Sequence, residues 1–352
     1  MHTHVKKISK CLPVGDLPYD TDKAATKMIV KLFEDIPYLA NLPLASSEDS
    51  VLYRTLNNLP GISFNGKKVL FDDDADHYKS EFLFLDSTFN NPTIENIDHF
   101  GFNTFFLSKY LQIVERIKPK ETVVNLMGPF STSLTLLKSD KSPLILDKFY
   151  RKFIIQAISI RALWIIKEII KVSPDTRPVI ILEEPLLYKA GEIIRNNEEI
   201  TRDIIINMFN KVISKIQETG AYAGIQCFEK CDWKIPIEAG ANIISFDAYN
   251  NPNNLNIIAD KVNEFLAKGG RINWGIIPVM NEKIVKDLSV ERILDRLFKT
   301  FEGLIIAGAS ERLVYNHAMI SIQGSLNHLP IIFAEKALIL SSQVAKRIPV
   351  KN

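Results

Sequence analysis

The chain has 352 residues, 46% apolar and 24% charged, an ordinary globular composition with ample material for a large core. Its 43 basic and 41 acidic residues leave a formal charge of +2, too even a balance to imply nucleic acid or an anionic membrane surface as partner. Three cysteines cannot all pair, and Cys11 is remote in sequence from Cys227 and Cys231, which argues against a disulfide framework and for a reducing, cytoplasmic compartment.

The first ten residues, "MHTHVKKISK", are polar with no apolar run behind them, so no secretory signal is expected. "ISKCLPVGDLP" suggests a first strand and its loop, followed by a helix over "DTDKAATKMIVKLF". Residues 44–100 lack a clear period and include the acidic "FDDDADHYKSEF"; they are expected to form an irregular insertion or a lid. Within them "EFLFLD" is short and apolar enough to be a second strand. From Lys120 a rhythm sets in. The runs "TVVNLMGP", "PVIILEEP", "AYAGIQCF", "NIISFDAY", "RINWGIIPV" and "HAMISIQG" are continuously apolar, as parallel strands buried on both faces are. Amphipathic helices such as "DIIINMFNKVISKIQETG" and "PNNLNIIADKVNEFLAKGG" separate them. "FIIQAISIRALWIIKEII" is broken by Gln156, Arg161, Lys167 and Glu168 and is expected to be a core-facing helix, not a membrane span.

About eight β/α units in one chain predict a single α/β domain over residues 1–352, a (β/α)8 TIM barrel. A doubly wound sheet is the competitor, weakened by the absence of G-x-G-x-x-G after the first strand. Function in such a barrel gathers at the C-terminal ends of the strands. Candidates there are Asp16, Gly128, Glu183, Glu184, Gln226, Cys227, Asp247, Trp274 and Gln323. Adjacent strand residues face opposite sides, so only one of Glu183 and Glu184 can face the barrel axis. The other would cap the next helix or pair with a cation. Asp247 either serves the site or opens the turn after its strand. Trp274 is a core residue or a pocket wall. His317 and His328 are expected to be structural, and His77 solvated.

The same strand-end residues resemble the cobalamin-independent methionine synthase family, its C-terminal catalytic barrel and the short homologues of that barrel. More distantly they resemble the uroporphyrinogen decarboxylase superfamily. "VGDLPYDTDKAA" is similar to the family's opening loop, "DIPYLANLP" to its P-x-x-P-x-L-P segment, and "MGPFSTSL" to its GP-T loop. "LEEPLL" resembles DEPAL, "GIQCFEKCDW" resembles GxHxCxxxDW, and "ISFDAY" and "NWGIIP" resemble xSFDAY and xWGIVP. The matches run in family order over nearly the whole chain.

The resemblance implies transfer of a methyl group to a thiol held on zinc, which keeps the thiol as thiolate. The family's ligand positions depart here. The His position falls on Gln226, the first Cys on Phe228, the acidic residue on Asp247 and the last Cys near Gln323. Phe binds no metal and an amide is a weak zinc ligand, so no metal residue is assigned and the family zinc is expected to be absent, with the cofactor unknown. A bulged strand could instead bring Cys227, Cys231 and Asp247 together.

The reading is therefore a methionine synthase-like methyltransferase moving a methyl group to or from a small thiol or a cofactor. Glu183, Glu184 and Asp247 are its catalytic candidates. Asp16, Gly128, Gln226, Cys227, Trp274 and Gln323 would bind substrate. The partners would be a small molecule and a corrinoid or other methyl-carrier protein. The alternatives are a non-catalytic binding or accessory protein on the same barrel, and a metal-free decarboxylase-type enzyme.

Overall fold

The computed structural model describes residues 10–13 and 15–352. Nine strands are present among them: β1 (Tyr38–Leu39), β2 (Ile62–Asn65), β3 (Lys68–Phe71), β4 (Glu121–Met127), β5 (Arg177–Glu183), β6 (Tyr222–Cys227), β7 (Ile243–Phe246), β8 (Arg271–Ile277) and β9 (Ala318–Ile322). β2 and β3 form an antiparallel hairpin. The other seven make one parallel sheet in the order β1-β4-β5-β6-β7-β8-β9, with helices between successive strands. The six apolar runs from Lys120 onward are β4 to β9.

The sheet is curled. Three strands lie between β4 and β8, so a flat sheet would hold them about 19 Å apart. Yet Arg271 of β8 reaches Glu121 of β4, Nη1 to Oε2 at 2.8 Å. The same concave end holds Tyr222, with the Arg177 and Arg271 guanidiniums 4.6 and 4.7 Å from its ring centroid. Register carries this face along each strand. Met127, Glu183, Gln226, Ser245 and Asn273 are successive lateral partners, so their side chains point to one side of the sheet. Cys227, Phe246 and Trp274 form the adjacent row and point to the other.

Eight strands were expected and seven are joined in the sheet. At the first expected strand, Leu12 donates its N–H to Ile320 (3.0 Å) and Ile320 donates to Lys10 (2.7 Å), on the free side of β9. Further on, Leu17 donates to Asn41 (2.9 Å), just past β1. Pro13 has no N–H to continue the ladder and Gly15 turns with φ +91°, so the segment touches both edges without a continuous run.

"EFLFLD" is not a strand. It lies in the helix Lys79–Asn90, where Phe82, Leu85 and Thr88 are buried at helical spacing. The second strand is the shorter Tyr38–Leu39. Residues 44–100 are likewise not irregular. They hold the helix Val51–Leu56, the β2–β3 hairpin, and the helices Lys79–Asn90 and Ile94–His99. Phe71 of the hairpin packs on Tyr150 and Phe153, and Phe82 packs on Phe149 and Phe153, all on the helix Lys148–Val172.

That long helix is the apolar stretch read as core-facing, and sixteen of its 25 residues are buried. Its Arg161 is fully buried, donating Nε to the carbonyl of Thr55 (3.2 Å) and Nη2 to that of Asn57, with its guanidinium 4.6 Å from the Phe102 ring. Among the described residues no helix is long and apolar enough to cross a membrane.

Glu121 and Arg271 are almost closed off from water, so losing one partner strands the other's charge. Arg271→Met should lower unfolding free energy by about 3 kcal/mol in urea titration, and the double variant Glu121→Leu/Arg271→Met should recover most of that loss.

Candidate functional site

The concave face changes character towards the C-terminal ends of the strands. Asn273 is fully buried and donates Nδ2 to Ser245 Oγ (2.9 Å) and Ser321 Oγ (3.0 Å), joining β7, β8 and β9 by a polar layer. Above it, Glu183, Gln226, Asp247 and Gln323 follow one another around the rim. Asp247 continues the concave row of Ser245, and Gln323 that of Ser321.

Glu183 is the rim carboxylate of β5. Its Oε1 accepts from Asn125 Nδ2 at 2.6 Å, with a further side-chain hydrogen bond from Asn41. Burial pushes its carboxyl up to about 7, against the pull of Asn125 and of the nearby Arg54. Arg54 belongs to the helix Val51–Leu56. It is buried and spends its terminal nitrogens on the carbonyls of Leu39 (3.4 Å), Asn125 (3.1 Å) and Ala40 (3.1 Å). Burial lowers its own pKa to about 10.

Glu184 faces away from this group. Its oxygens accept from the N–H groups of Phe130 (3.0 Å) and Ser131 (2.7 Å), at the N-terminus of the helix Pro129–Thr135. A carboxylate there satisfies free N–H groups and complements the helix dipole. It is wholly buried, and burial raises its carboxyl to about 8 even against those hydrogen bonds. Gly128 serves the same contact: a Cβ there would lie 2.0 Å from Glu184 Oε1.

Asp247 is held from three sides. Oδ1 accepts from the Asn250 N–H (2.9 Å), and Oδ2 accepts from Asn250 Nδ2 (2.7 Å) and Gln323 Nε2 (3.1 Å). Burial raises its carboxyl and these donors lower it, with burial the larger effect. Gly275 lets the chain pass close here, since a Cβ would come within 2.6 Å of the Phe246 carbonyl. Asp16 accepts from Asn41 Nδ2 (2.8 Å), Ser325 Oγ (3.0 Å) and Asn327 Nδ2 (2.6 Å), tying the first segment to the loops that follow β1 and β9.

The structure thus gathers Glu183, Gln226, Asp247 and Gln323 at the rim, with Asp16 a clasp beside them. It does not bring Cys227, Trp274, Glu184 or Gly128 to that group. Trp274 is fully buried on the convex side, 5.3 Å from Phe246 and 5.0 Å from Phe301 of the helix Val290–Ile306. Cys227 shares the Phe246 row, so no bulge turns it towards Asp247. His317 Nδ1 meets the Gly270 carbonyl (2.9 Å) and His328 Nε2 that of Val279 (2.8 Å), both structural roles, and His77 is exposed. Arg54, Asn41, Asn125, Ser325 and Asn327 were missed. Asn125, an amide in the otherwise apolar centre of "TVVNLM", carried a visible signal.

The residues that the sequence resemblance aligns with zinc ligands do not fit a zinc ion. Phe228 has no donor atom, and Asp247 is occupied by three N–H groups. Among the described residues no three His, Cys, Asp or Glu side chains converge as a metal site.

No protein-family model and no curated protein sequence matches the chain. Among solved structures it is similar to a methyltransferase from Methanosarcina mazei, at 13% identity and a TM-score of 0.51, over 96% of this chain and 94% of that one. The two share a fold. At that identity the likeness extends to architecture and not to the site.

Two outcomes test these assignments. Gly128→Ala should destabilise the protein by about 2 kcal/mol in urea titration, because the added methyl meets a buried carboxylate. The Glu183 carboxyl is raised, so its protonated form favours the fold. That contribution is complete below the ordinary carboxylate range and is lost as pH rises through about 7. Glu183→Gln should therefore melt at a higher temperature than the parent at pH 8, by no more than about 3 kcal/mol in stability, with the difference gone near pH 4.

Proposed function

We propose that this protein is a methyltransferase of the methionine synthase-like type, built on an eight-stave barrel whose first stave is the segment around Lys10–Leu17. It moves a methyl group to or from a small thiol or a cofactor, without the family's zinc. The methyl donor is a small molecule or a carrier protein that presents its methyl group at the C-terminal rim.

The observation that carries this reading is Glu183. It is a carboxylate on the concave face, hydrogen-bonded to Asn125, and burial brings it to about 7. A base matched to neutral pH is what a thiol needs when no metal lowers its pKa. In the transfer step Glu183 takes the thiol proton. Sulfur forms the new bond to the methyl carbon, and the donor leaves with the electron pair of the broken bond. In the reverse direction the protonated carboxyl returns its proton to sulfur. Asp247, fixed by Asn250 and Gln323, orients the second reactant. Arg54 supports the role of Glu183 by holding Asn125 and by limiting how far burial raises the carboxyl.

Glu183→Gln should reduce kcat/KM for methyl transfer by about 100-fold or more, with the fold intact by circular dichroism. For the parent, kcat/KM should rise with pH through about 7, because the ionised carboxylate is the active base. A profile flat from pH 5 to pH 9 would remove Glu183 from the role.

A further inference from the structure

We infer that Cys227 and Cys231 form an oxidative modification site, a dithiol that a small external disulfide closes reversibly into a disulfide bond within the chain. The inference is independent of how the rim is read. It stands on the contact between the two thiols, the loop that joins them and their unequal access to solvent.

β6 ends at Cys227, and residues 228–232 run outside any strand or helix before the helix Lys234–Glu238. Such a stretch can take up the small shift that bond formation needs. The Cys227 and Cys231 thiols are hydrogen-bonded to each other, and Cys227 also donates to the Glu229 carbonyl at 3.5 Å. The fold therefore holds the sulfurs in contact before any oxidant arrives, so closing the ring costs little further chain entropy. Cys11 is remote from them. It is bridged to Ile320 of β9, with β7 and β8 between that strand and β6.

Access orders the two sulfurs. Cys227 is 1% exposed, in the convex row with Phe246. Cys231 is half-buried between the exposed Lys230 and Asp232. Cys231 thus meets the oxidant and Cys227 resolves. The Cys231 thiolate attacks one sulfur of the small disulfide and forms a mixed disulfide. The sulfur that leaves takes the electron pair of the broken bond and then a proton, becoming a small thiol. Cys227 gives up its proton and attacks the Cys231 sulfur, the internal disulfide forms, and a second small thiol leaves. Two protein thiols have lost two electrons and two protons, and one small disulfide has gained them.

The surroundings make this exchange slow at neutral pH. Burial, then the hydrogen bond to Cys227 and the neighbouring Asp232 and Glu184, hold the Cys231 thiol well above its ordinary range. Only the thiolate attacks, so the pair stays reduced through brief exposure and closes under sustained oxidation, faster as pH rises.

The test incubates the reduced, folded full chain with 2-hydroxyethyl disulfide at pH 7 and pH 9, then alkylates in denaturant and maps the thiols by mass spectrometry. The three alkylatable thiols should fall to one, Cys11, with an unalkylated mass about 2 Da below the reduced protein and a Cys227–Cys231 cross-link in the peptide map. The rate should be about tenfold or more higher at pH 9, and dithiothreitol should restore all three thiols. Cys227→Ser should stop at a mixed disulfide on Cys231. Should that variant fail to fold, the peptide map of the parent decides. Three thiols surviving prolonged oxidation, a stable mixed disulfide on the parent, a bond to Cys11 or between two chains, or closure only in urea overturns the inference.

Discussion

The alternation of side chains along each strand decides what every candidate residue can do. In "EE" at the end of β5 it sends Glu183 to the concave face and Glu184 to a helix terminus. In "QC" at the end of β6 it sends Gln226 to the rim and Cys227 to the convex row. Two adjacent residues of similar chemistry thus have unrelated surroundings. A one-residue slip of either strand would exchange them, and the apolar convex rows under the helices make that slip costly.

The same alternation separates two kinds of buried charge. At the N-terminal end Glu121 and Arg271 neutralise each other across the curl. At the other end Glu183 is stabilised by an amide and by an arginine turned towards carbonyls, so its charge is left to respond to what enters. A closed ion pair holds shape, whereas a carboxylate without a matched cation retains a proton equilibrium near neutrality.

Much of this was legible in the chain. β4 to β9 are short, largely apolar, buried runs, and that pattern survives without tertiary information. The short elements were not legible: Tyr38–Leu39 is too brief to show a period, and "EFLFLD" fits either a strand or one helical face. That the paired glutamates face opposite sides followed from the pleat; that Glu184 caps the helix after β4, and not the next helix or a cation, depends on strand register and packing. Arg54 gave no signal at all, because its role is set by three carbonyls that are distant in sequence or beyond a turn. The spacing of the cysteines suggests a shared site, but strand parity places Cys227 in the convex row with Phe246, away from Asp247.

The helix Val51–Leu56 ties the ends of two neighbouring strands to the long helix Lys148–Val172. Arg54 grips the ends of β1 and β4, Thr55 Oγ1 accepts from the Met127 N–H at 2.8 Å, and the Thr55 carbonyl receives Arg161 from the long helix. The segment that looks dispensable in sequence is therefore a keystone. It could not be trimmed or exchanged as a module without loosening all three.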